Sequence, residues 1–254
     1  MDGILLRPGE GETITDRAER TIRILLAHEL ADVTWTRYEP GERGPGPHVH
    51  REHVDAFYVL EGELEFGVGR DGAEVVRAPA GTFVLVPPNV VHTFGNESGA
   101  RALFLNVHAP SCGFAGHLRD ETKSWDSFDP PEDGGRPAAD AIVSGPDDGE
   151  RFVRSNRTLV IKGAVDDISA IEISFDVSFE VSAHSHDDHV DSFFVLEGQV
   201  DFLVGDERHQ AGPGSFAAAP PGAVHGFDTS DPDGALLLNI HLPDAGFADG
   251  IRNG

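Results

Sequence analysis

The sequence contains the segment Pro47-His48-Val49-His50-Arg51-Glu52-His53-Val54-Asp55-Ala56-Phe57-Tyr58-Val59-Leu60-Glu61-Gly62. It recurs in altered form as Ala183-His184-Ser185-His186-Asp187-Asp188-His189-Val190-Asp191-Ser192-Phe193-Phe194-Val195-Leu196-Glu197-Gly198. Both copies carry three histidines and an aspartate at the same spacing, followed by an apolar, aromatic-rich run that ends at Glu-Gly. Such a run is typical of a β-strand that closes in a turn. The pattern therefore predicts metal-ligand chemistry on a β scaffold, twice.

The similarity between the halves extends beyond this segment. A strand, a Pro-Pro corner and a histidine follow at 81–94 and again at 214–227, and each half ends in an Asn-x-His strand. Short strands at hairpin spacing indicate two antiparallel β-sandwiches or barrels, over 1–118 and 151–254. Residues 119–150, rich in Pro, Gly and Asp, are predicted to be a linker.

Local patterns predict individual strands in the first half. Residues 1–15 are expected to form an extended arm, and strands are expected over 21–27 and 33–38. A hairpin is predicted from 63–68 and 74–77, joined by a turn at Gly69-Arg70-Asp71-Gly72 that asks for positive φ.

Composition narrows the class of protein. The 254 residues are 39% hydrophobic, without an apolar run of the roughly 18 residues that a membrane span needs. Cys112 is the single cysteine, so any metal must be held by nitrogen and oxygen. The net charge of -25 argues against nucleic acid and anionic membranes as partners. A cytoplasmic protein that acts on a small molecule is expected, with a homodimer as a possible assembly.

The histidines have the spacing of metal ligands. His48 and His50 are two residues apart, so both side chains point to one face of a strand, and a barrel could bring His92 across from them. Asp55 and His53 also share a face, so either could be the fourth ligand. The site is then three histidines with a carboxylate, or three histidines with water. The second half repeats this choice, with the ligands His184, His186 and His225 and the candidates Asp191 and His189.

Other residues are candidates for the walls of a pocket rather than for catalysis. Aromatic side chains dominate such walls, and the candidates are Phe57, Phe66 and Phe193, with His108 and His241 on the last strand of each half. No catalytic acid or base stands out. No phosphate-binding glycine loop or nucleophile elbow is present, which argues against nucleotide cofactors and covalent catalysis.

These motifs resemble those of the cupin superfamily, and nearly the whole chain looks like a bicupin. The first cupin motif is matched by His48, His50, Asp55 and Gly62, and again by His184, His186, Asp191 and Gly198. The second motif is matched by Gly81, Pro87, His92 and Asn96, and by Gly214, Pro220, Gly222 and His225. Aspartate stands where the family usually has glutamate. The resemblance implies an all-β fold of two tandem double-stranded β-helix barrels, with a metal near the mouth of each.

The resemblance also implies an activity. It suggests a metal-dependent dioxygenase similar to quercetinase-type bicupins, acting on a small aromatic or enolisable substrate. The expected cofactor is one divalent transition metal per barrel, Fe in first place, with Mn, Ni, Cu or Zn as alternatives. A non-redox isomerase, lyase or decarboxylase is the second hypothesis, and a non-catalytic binding bicupin is the third.

Overall fold

The structure is a computed structural model that describes residues 2–121, 125–175, 179–229 and 233–254. The chain forms two compact units. The first unit comprises Gly11–Asp148, and the second comprises the residues up to Glu10 together with Gly149–Gly254. These bounds differ from the predicted ones at both ends of the first half. The N-terminal residues belong to the second unit, and the described part of 119–148 belongs to the first, with 122–124 outside the described residues.

Most of the regular structure is β-strand. Up to residue 148 the elements are β1 (Ile4–Leu6), β2 (Glu12–Asp16), β3 (Arg20–His28), β4 (Ala31–Tyr38), β5 (Val54–Glu61), β6 (Glu63–Val68), β7 (Glu74–Pro79), β8 (Phe83–Val86), β9 (His92–Gly95), β10 (Ala102–Ala109), α1 (Phe114–Leu118) and β11 (Ile142–Ser144). Short 3-10 turns lie at Arg70–Gly72 and Ala138–Asp140.

The second half repeats this order. Its elements are β12 (Glu150–Val153), β13 (Arg157–Val165), β14 (Ile168–Phe175), β15 (Phe179–His184), β16 (Val190–Gly198), β17 (Val200–Val204), β18 (Glu207–Ala211), β19 (Phe216–Ala219), β20 (His225–Thr229), β21 (Ala235–Leu242) and α2 (Phe247–Asn253). No helix among the described residues is long and apolar enough to cross a membrane.

Each unit is a jelly-roll-like sandwich of two antiparallel sheets. The first unit pairs a seven-stranded sheet, ordered β11-β8-β5-β10-β4-β3-β2, with a three-stranded sheet, β7-β6-β9. The second pairs β1-β19-β16-β21-β14-β13-β12 with β15-β20-β17-β18. Apolar side chains from both sheets form the core of each unit. The two tandem barrels predicted from the sequence are confirmed.

The strands of the first unit follow the pattern of the sequence. In β6, Leu64, Phe66 and Val68 are buried while the residues between them are partly exposed. The hairpin of β6 and β7 turns between Gly69 and Gly72, as the sequence predicted. Gly69 has φ 81° and Gly72 has φ 63°, a conformation that a side chain disfavours.

Two segments that were not predicted as strands add to the sheets. Residues 4–6 of the predicted arm form β1, which pairs with β19 at Phe216–Ala218. Residues 142–144 of the predicted linker form β11, which pairs with β8 at Phe83–Leu85. Each is only three residues long, too short for a periodic pattern to identify.

The register of the large sheets places the site residues opposite one another. In the first unit, Asp55 on β5 lies directly across from His108 on β10. In the second, Asp191 on β16 lies across from His241 on β21. Directly opposed residues project from the same face of a sheet, so each carboxylate shares its face with an imidazole.

Candidate metal centres

The first unit brings four of the predicted ligands together. Each of His48, His50, Asp55 and His92 offers a ligand atom within 4.8 Å of the others, and all four are buried. His48 reaches β9 through an isolated bridge to His92, so residues distant in sequence become neighbours. We call this set the first centre.

Backbone carbonyl groups fix the protonation of the three rings. The Nδ1 atoms of His48, His50 and His92 lie 2.9, 2.5 and 3.1 Å from the carbonyl oxygens of Gly46, Asp126 and Val90. Because a carbonyl oxygen can only accept a hydrogen bond, each neutral ring carries its proton on Nδ1. The lone pairs of the Nε2 atoms are then free to bind a metal.

The carboxylate of Asp55 is the fourth group of the first centre. Its Oδ2 lies 3.2 Å from Nε2 of His92 and 3.5 Å from Nε2 of His50, and its Oδ1 accepts a hydrogen bond from the amide of Asn106. Burial alone would raise the pKa of Asp55, but His108, His50 and His92 together lower it well below its usual range. The aspartate is therefore ionised over the whole neutral range.

The geometry fits a bound cation. Nε2 of His50 is buried and has no hydrogen-bond partner among the described residues. Unprotonated ring nitrogens that face a carboxylate oxygen repel it unless a positive charge lies among them. Three imidazoles and one carboxylate suit a divalent transition metal and leave coordination positions open.

Burial also favours the neutral form of His48 and of the neighbouring rings His53 and His108. Burial, together with the neighbouring rings of His92 and His50, lowers the pKa of His48 to about 3. Burial and His50 lower the pKa of His53 to about 4. Burial holds the pKa of His108 well below its ordinary value. Neutral rings need no proton release before a metal binds.

His53, the alternative ligand, has both ring nitrogens engaged elsewhere. Its Nδ1 lies 2.8 Å from Oδ2 of Asp126, and its Nε2 lies 2.8 Å from Nδ1 of His108. The ring is fully buried beside the first centre, and it stacks on His50 with a centroid distance of 4.1 Å. His53 thus contacts Asp126 and His108, whereas Asp55 lies in one group with His48, His50 and His92.

The second unit repeats the set with His184, His186, Asp191 and His225, which we call the second centre. Nδ1 of His184 and of His225 lies 2.9 and 3.1 Å from a backbone carbonyl oxygen. Nε2 of His225 lies 3.2 Å from Oδ2 of Asp191, and Asn239 donates to Oδ1 of that carboxylate over 2.6 Å. Burial alone would lower the pKa of His225, but Asp191 and the Ala223 carbonyl raise it.

The second centre is more open than the first. The side chain of His186 is 27% exposed, whereas that of His50 is 2% exposed. Nε2 of His186 is nevertheless a buried atom without a partner among the described residues, as it is in His50. His189, the alternative ligand here, lies with Nδ1 2.8 Å from the exposed carboxylate of Asp188. Both units therefore hold a His and Asp cluster that could bind a metal ion.

A cavity opens beside each centre. The one in the second unit has a volume of about 560 Å³ and is largely apolar. It is lined by His184, His186 and Asp191 of the second centre and by Phe175, Phe179, Phe193, Phe227, His241, Phe247, Arg154 and Arg157, among others. The predicted wall residues Phe193 and His241 therefore line it.

The cavity of the first unit is smaller and its wall differs from the prediction. It measures about 400 Å³, and His108 lines it, as predicted. Phe57 and Phe66 do not line it, because they lie fully buried in the core of the sandwich. Phe94 and Phe104, which pack on Phe57 at ring distances of 4.8 and 6.2 Å, line the cavity in their place.

A strap from the predicted linker also covers the first centre. We call residues Trp125–Phe128 the strap. The Trp125 ring lies 5.0 Å from that of His50, and Asp126 contacts both His50 and His53. Neither residue was expected at the site. The one signal in the sequence is a pair of aromatic residues, Trp125 and Phe128, in a run otherwise rich in polar residues.

Solved structures show the same fold at low sequence identity. YlbA of E. coli has a TM-score of 0.69 at 12% identity, covering 95% of this chain and 91% of its own. The oxalate decarboxylase of Lactobacillus farciminis, in complex with formate, has a TM-score of 0.65 at 11% identity, covering 94% and 86%. The 11S globulin of Wrightia tinctoria has a TM-score of 0.65 at 13% identity, covering 96% and 84%.

Among these neighbours are an oxalate decarboxylase and an 11S globulin, so the likeness establishes the fold and leaves the reaction open. No curated protein sequence is significantly similar to the chain. The family model of the cupin domain matches residues 34–108 and 173–241, once in each unit. The chain therefore belongs to the cupin domain family, as a bicupin with one candidate metal centre in each barrel.

Proposed function

We propose that the protein is a metal-dependent dioxygenase whose substrate binds in the cavity of the second unit. The observation that carries the proposal is the placement of His184, His186 and Asp191, three of the four residues of the second centre, in the wall of a cavity of about 560 Å³ lined by aromatic rings. A divalent transition metal held there, Fe(II) in the first place, would supply Lewis acidity and redox chemistry towards dioxygen. The residues of the chain would bind, orient and enclose the substrate.

The lining of this cavity favours a flat, apolar substrate. Phe175 and Phe193 both pack against Phe227 in the core, and all three rings line the cavity. Aromatic walls exclude water and stack on a ring or an enol. The volume admits a small molecule of one or two rings. These features support the aromatic or enolisable class of substrate expected from the sequence.

Two arginines in the wall favour a substrate with a negative charge. Arg154 and Arg157 both line the cavity, and the guanidinium of Arg157 lies 4.8 Å from the centroid of the Phe179 ring. A guanidinium beside an aromatic ring recognises a carboxylate or phenolate through paired hydrogen bonds. The proposed substrate is therefore an aromatic or enolic acid, with its charged group towards Arg157.

The test is oxygen consumption by protein loaded with Fe(II), across a panel of phenols and diketones. Each phenol or diketone in the panel carries a carboxyl group, and it is supplied both as this acid and as the matched neutral amide. Uptake that prefers the acids and that falls in an Arg157→Gln variant is the expected result. Uptake should not fall in Arg151→Gln, because Arg151 is exposed on β12 and does not line the cavity. No uptake on any substrate, with the metal bound stoichiometrically, would rule the dioxygenase out. Turnover without oxygen on a redox-silent metal would favour the isomerase, lyase or decarboxylase class.

A further inference from the structure

One residue of the strap touches two different parts of the first centre. The backbone carbonyl of Asp126 lies 2.5 Å from Nδ1 of His50, and its carboxylate Oδ2 lies 2.8 Å from Nδ1 of His53. The carboxylate also accepts hydrogen bonds from the backbone N–H groups of Arg51 and Glu52, over 2.9 and 2.7 Å. Burial alone would raise the pKa of Asp126, but these N–H donors lower it. The ionised carboxylate is thus held in one position.

A chain of contacts continues from this carboxylate to the metal ligand Asp55. Nε2 of His53 lies 2.8 Å from Nδ1 of His108, and Nε2 of His108 lies 3.1 Å from the side-chain oxygen of Asn106. The amide nitrogen of Asn106 donates to Oδ1 of Asp55, which leaves Oδ2 facing the ligand histidines. Every side chain in this chain is at least nine-tenths buried, so water does not compete for these contacts.

The second centre lacks the first half of this chain. Asp188, the carboxylate beside His189, is 75% exposed. Nε2 of His189 and Nδ1 of His241 are both buried without a partner among the described residues. Their rings stack at 4.8 Å instead of joining through their nitrogens. In the second unit Asn239 donates to Oδ1 of Asp191, and Nε2 of His241 lies 3.3 Å from the same oxygen.

We infer that Asp126 is a positioning residue of the first centre, and that this centre holds its metal more tightly than the second. The carbonyl of Asp126 orients His50, and its carboxylate orients His53, which packs on the His50 ring and contacts His108. Ligands that are already in place lose little freedom when the metal binds, and partners behind the ligands typically change metal affinity by about 10- to 100-fold. The inference concerns metal retention and does not depend on which reaction the second centre catalyses.

The test measures the affinity of each centre for Co(II) in the full chain, without substrate. A His184→Ala, His186→Ala background leaves the first centre alone, and a His48→Ala, His50→Ala background leaves the second. In the first background, Asp126→Asn is expected to raise the Co(II) Kd by about 10- to 100-fold and to change the visible spectrum of the ion. In the second background, the matched control Asp188→Asn is expected to change Kd by less than about twofold, because its carboxylate is exposed to water.

A second variant separates positioning from folding. His53→Phe keeps a ring of similar shape but breaks the contact chain, while the Asp126 carboxylate still accepts hydrogen bonds from the N–H groups of Arg51 and Glu52. A higher Kd and an altered Co(II) spectrum are expected, with a smaller effect than for Asp126→Asn. Thermal unfolding of the metal-free forms shows whether Asp126→Asn has kept its fold. If it has not, the affinity measured for His53→Phe tests the inference instead. Unchanged affinity and spectrum in His53→Phe, or in a folded Asp126→Asn, would overturn the inference. Oxygen uptake is not part of the measurement, so failure of the proposed dioxygenase would leave this result unaffected.

Discussion

The buried imidazoles of the first centre make the metal-free protein sensitive to acid. The pKa of His48 is about 3 and that of His53 about 4, whereas both titrate near 6.5 in an unfolded chain. Between those values the unfolded state binds protons that the folded state does not. The free energy of unfolding should therefore fall as the pH drops from 6.5 towards 4, by at most about 1.4 kcal/mol per pH unit for each histidine. Above pH 6.5 this contribution vanishes.

Urea unfolding of chelator-treated protein at a series of pH values measures this slope. A His48→Asn variant removes one titrating group, so its stability should depend less steeply on pH between 4 and 6.5. Identical slopes for the parent protein and His48→Asn would contradict the prediction.

Single residues were predicted from the sequence where their spacing is local. His48 and His50 share a face because they are two apart on an extended chain, and the structure groups them with His92 and Asp55. Phe57 shares the parity of Asp55 along β5, yet it lies deeper in the sandwich, where Phe94 and Phe104 cover it. Depth along a strand depends on the opposite sheet, which a periodic pattern does not reveal.

At the scale of elements, the strap closes the first cavity with a single large ring. Trp125 packs on His50, Phe114 and His117 at centroid distances of 5.0, 5.1 and 5.2 Å. Two backbone hydrogen bonds of 3.0 Å join Phe128 of the strap to Val49. Trp125→Ala should therefore open the cavity without detaching the strap. We expect metal release from the first centre to a chelator to quicken by roughly tenfold, equivalent to about 1.4 kcal/mol.

Stopped-flow mixing of loaded protein with a coloured chelator measures this rate. Trp35→Ala is the matched control, because Trp35 lies on β4 under the guanidinium of Arg23 and does not line the cavity. Its release rate should equal that of the parent protein. Equal release rates for Trp125→Ala and Trp35→Ala would show that the strap does not limit access.

The position of the strap beside the first centre could not be predicted from the sequence. Its segment is rich in Pro, Gly and Asp, a composition that is typical of linkers, and only Trp125 and Phe128 interrupt it. What orders the strap is pairing with Val49 and contact with His50, both more than 70 residues away in sequence. The regular hairpin of β6 and β7, by contrast, was predicted because its strands and its glycine turn are adjacent in the chain.

At the scale of the whole molecule, the internal repeat makes the two centres separable. Each ligand set comes entirely from its own unit, so no ligand is shared. His92→Ala should lower the bound metal from two ions to one, His225→Ala should do the same, and the double variant should bind none. Elemental analysis of protein loaded with metal and desalted measures the content. Loss of both ions in either single variant would show that the centres depend on one another.

The two halves share a ligand pattern but differ in what surrounds it, and this difference should appear in the parent protein. The first centre is buried, tethered by Asp126 and covered by Trp125, whereas the His186 side chain of the second centre is 27% exposed beside a larger cavity. Dialysis against a chelator of intermediate strength should therefore remove one ion and leave one. Repeating the dialysis with His92→Ala should leave none, and with His225→Ala should leave one, which assigns the retained ion to the first centre. If His92→Ala retained an ion instead, the second centre would be the tighter one. The role assigned to the strap would then be wrong.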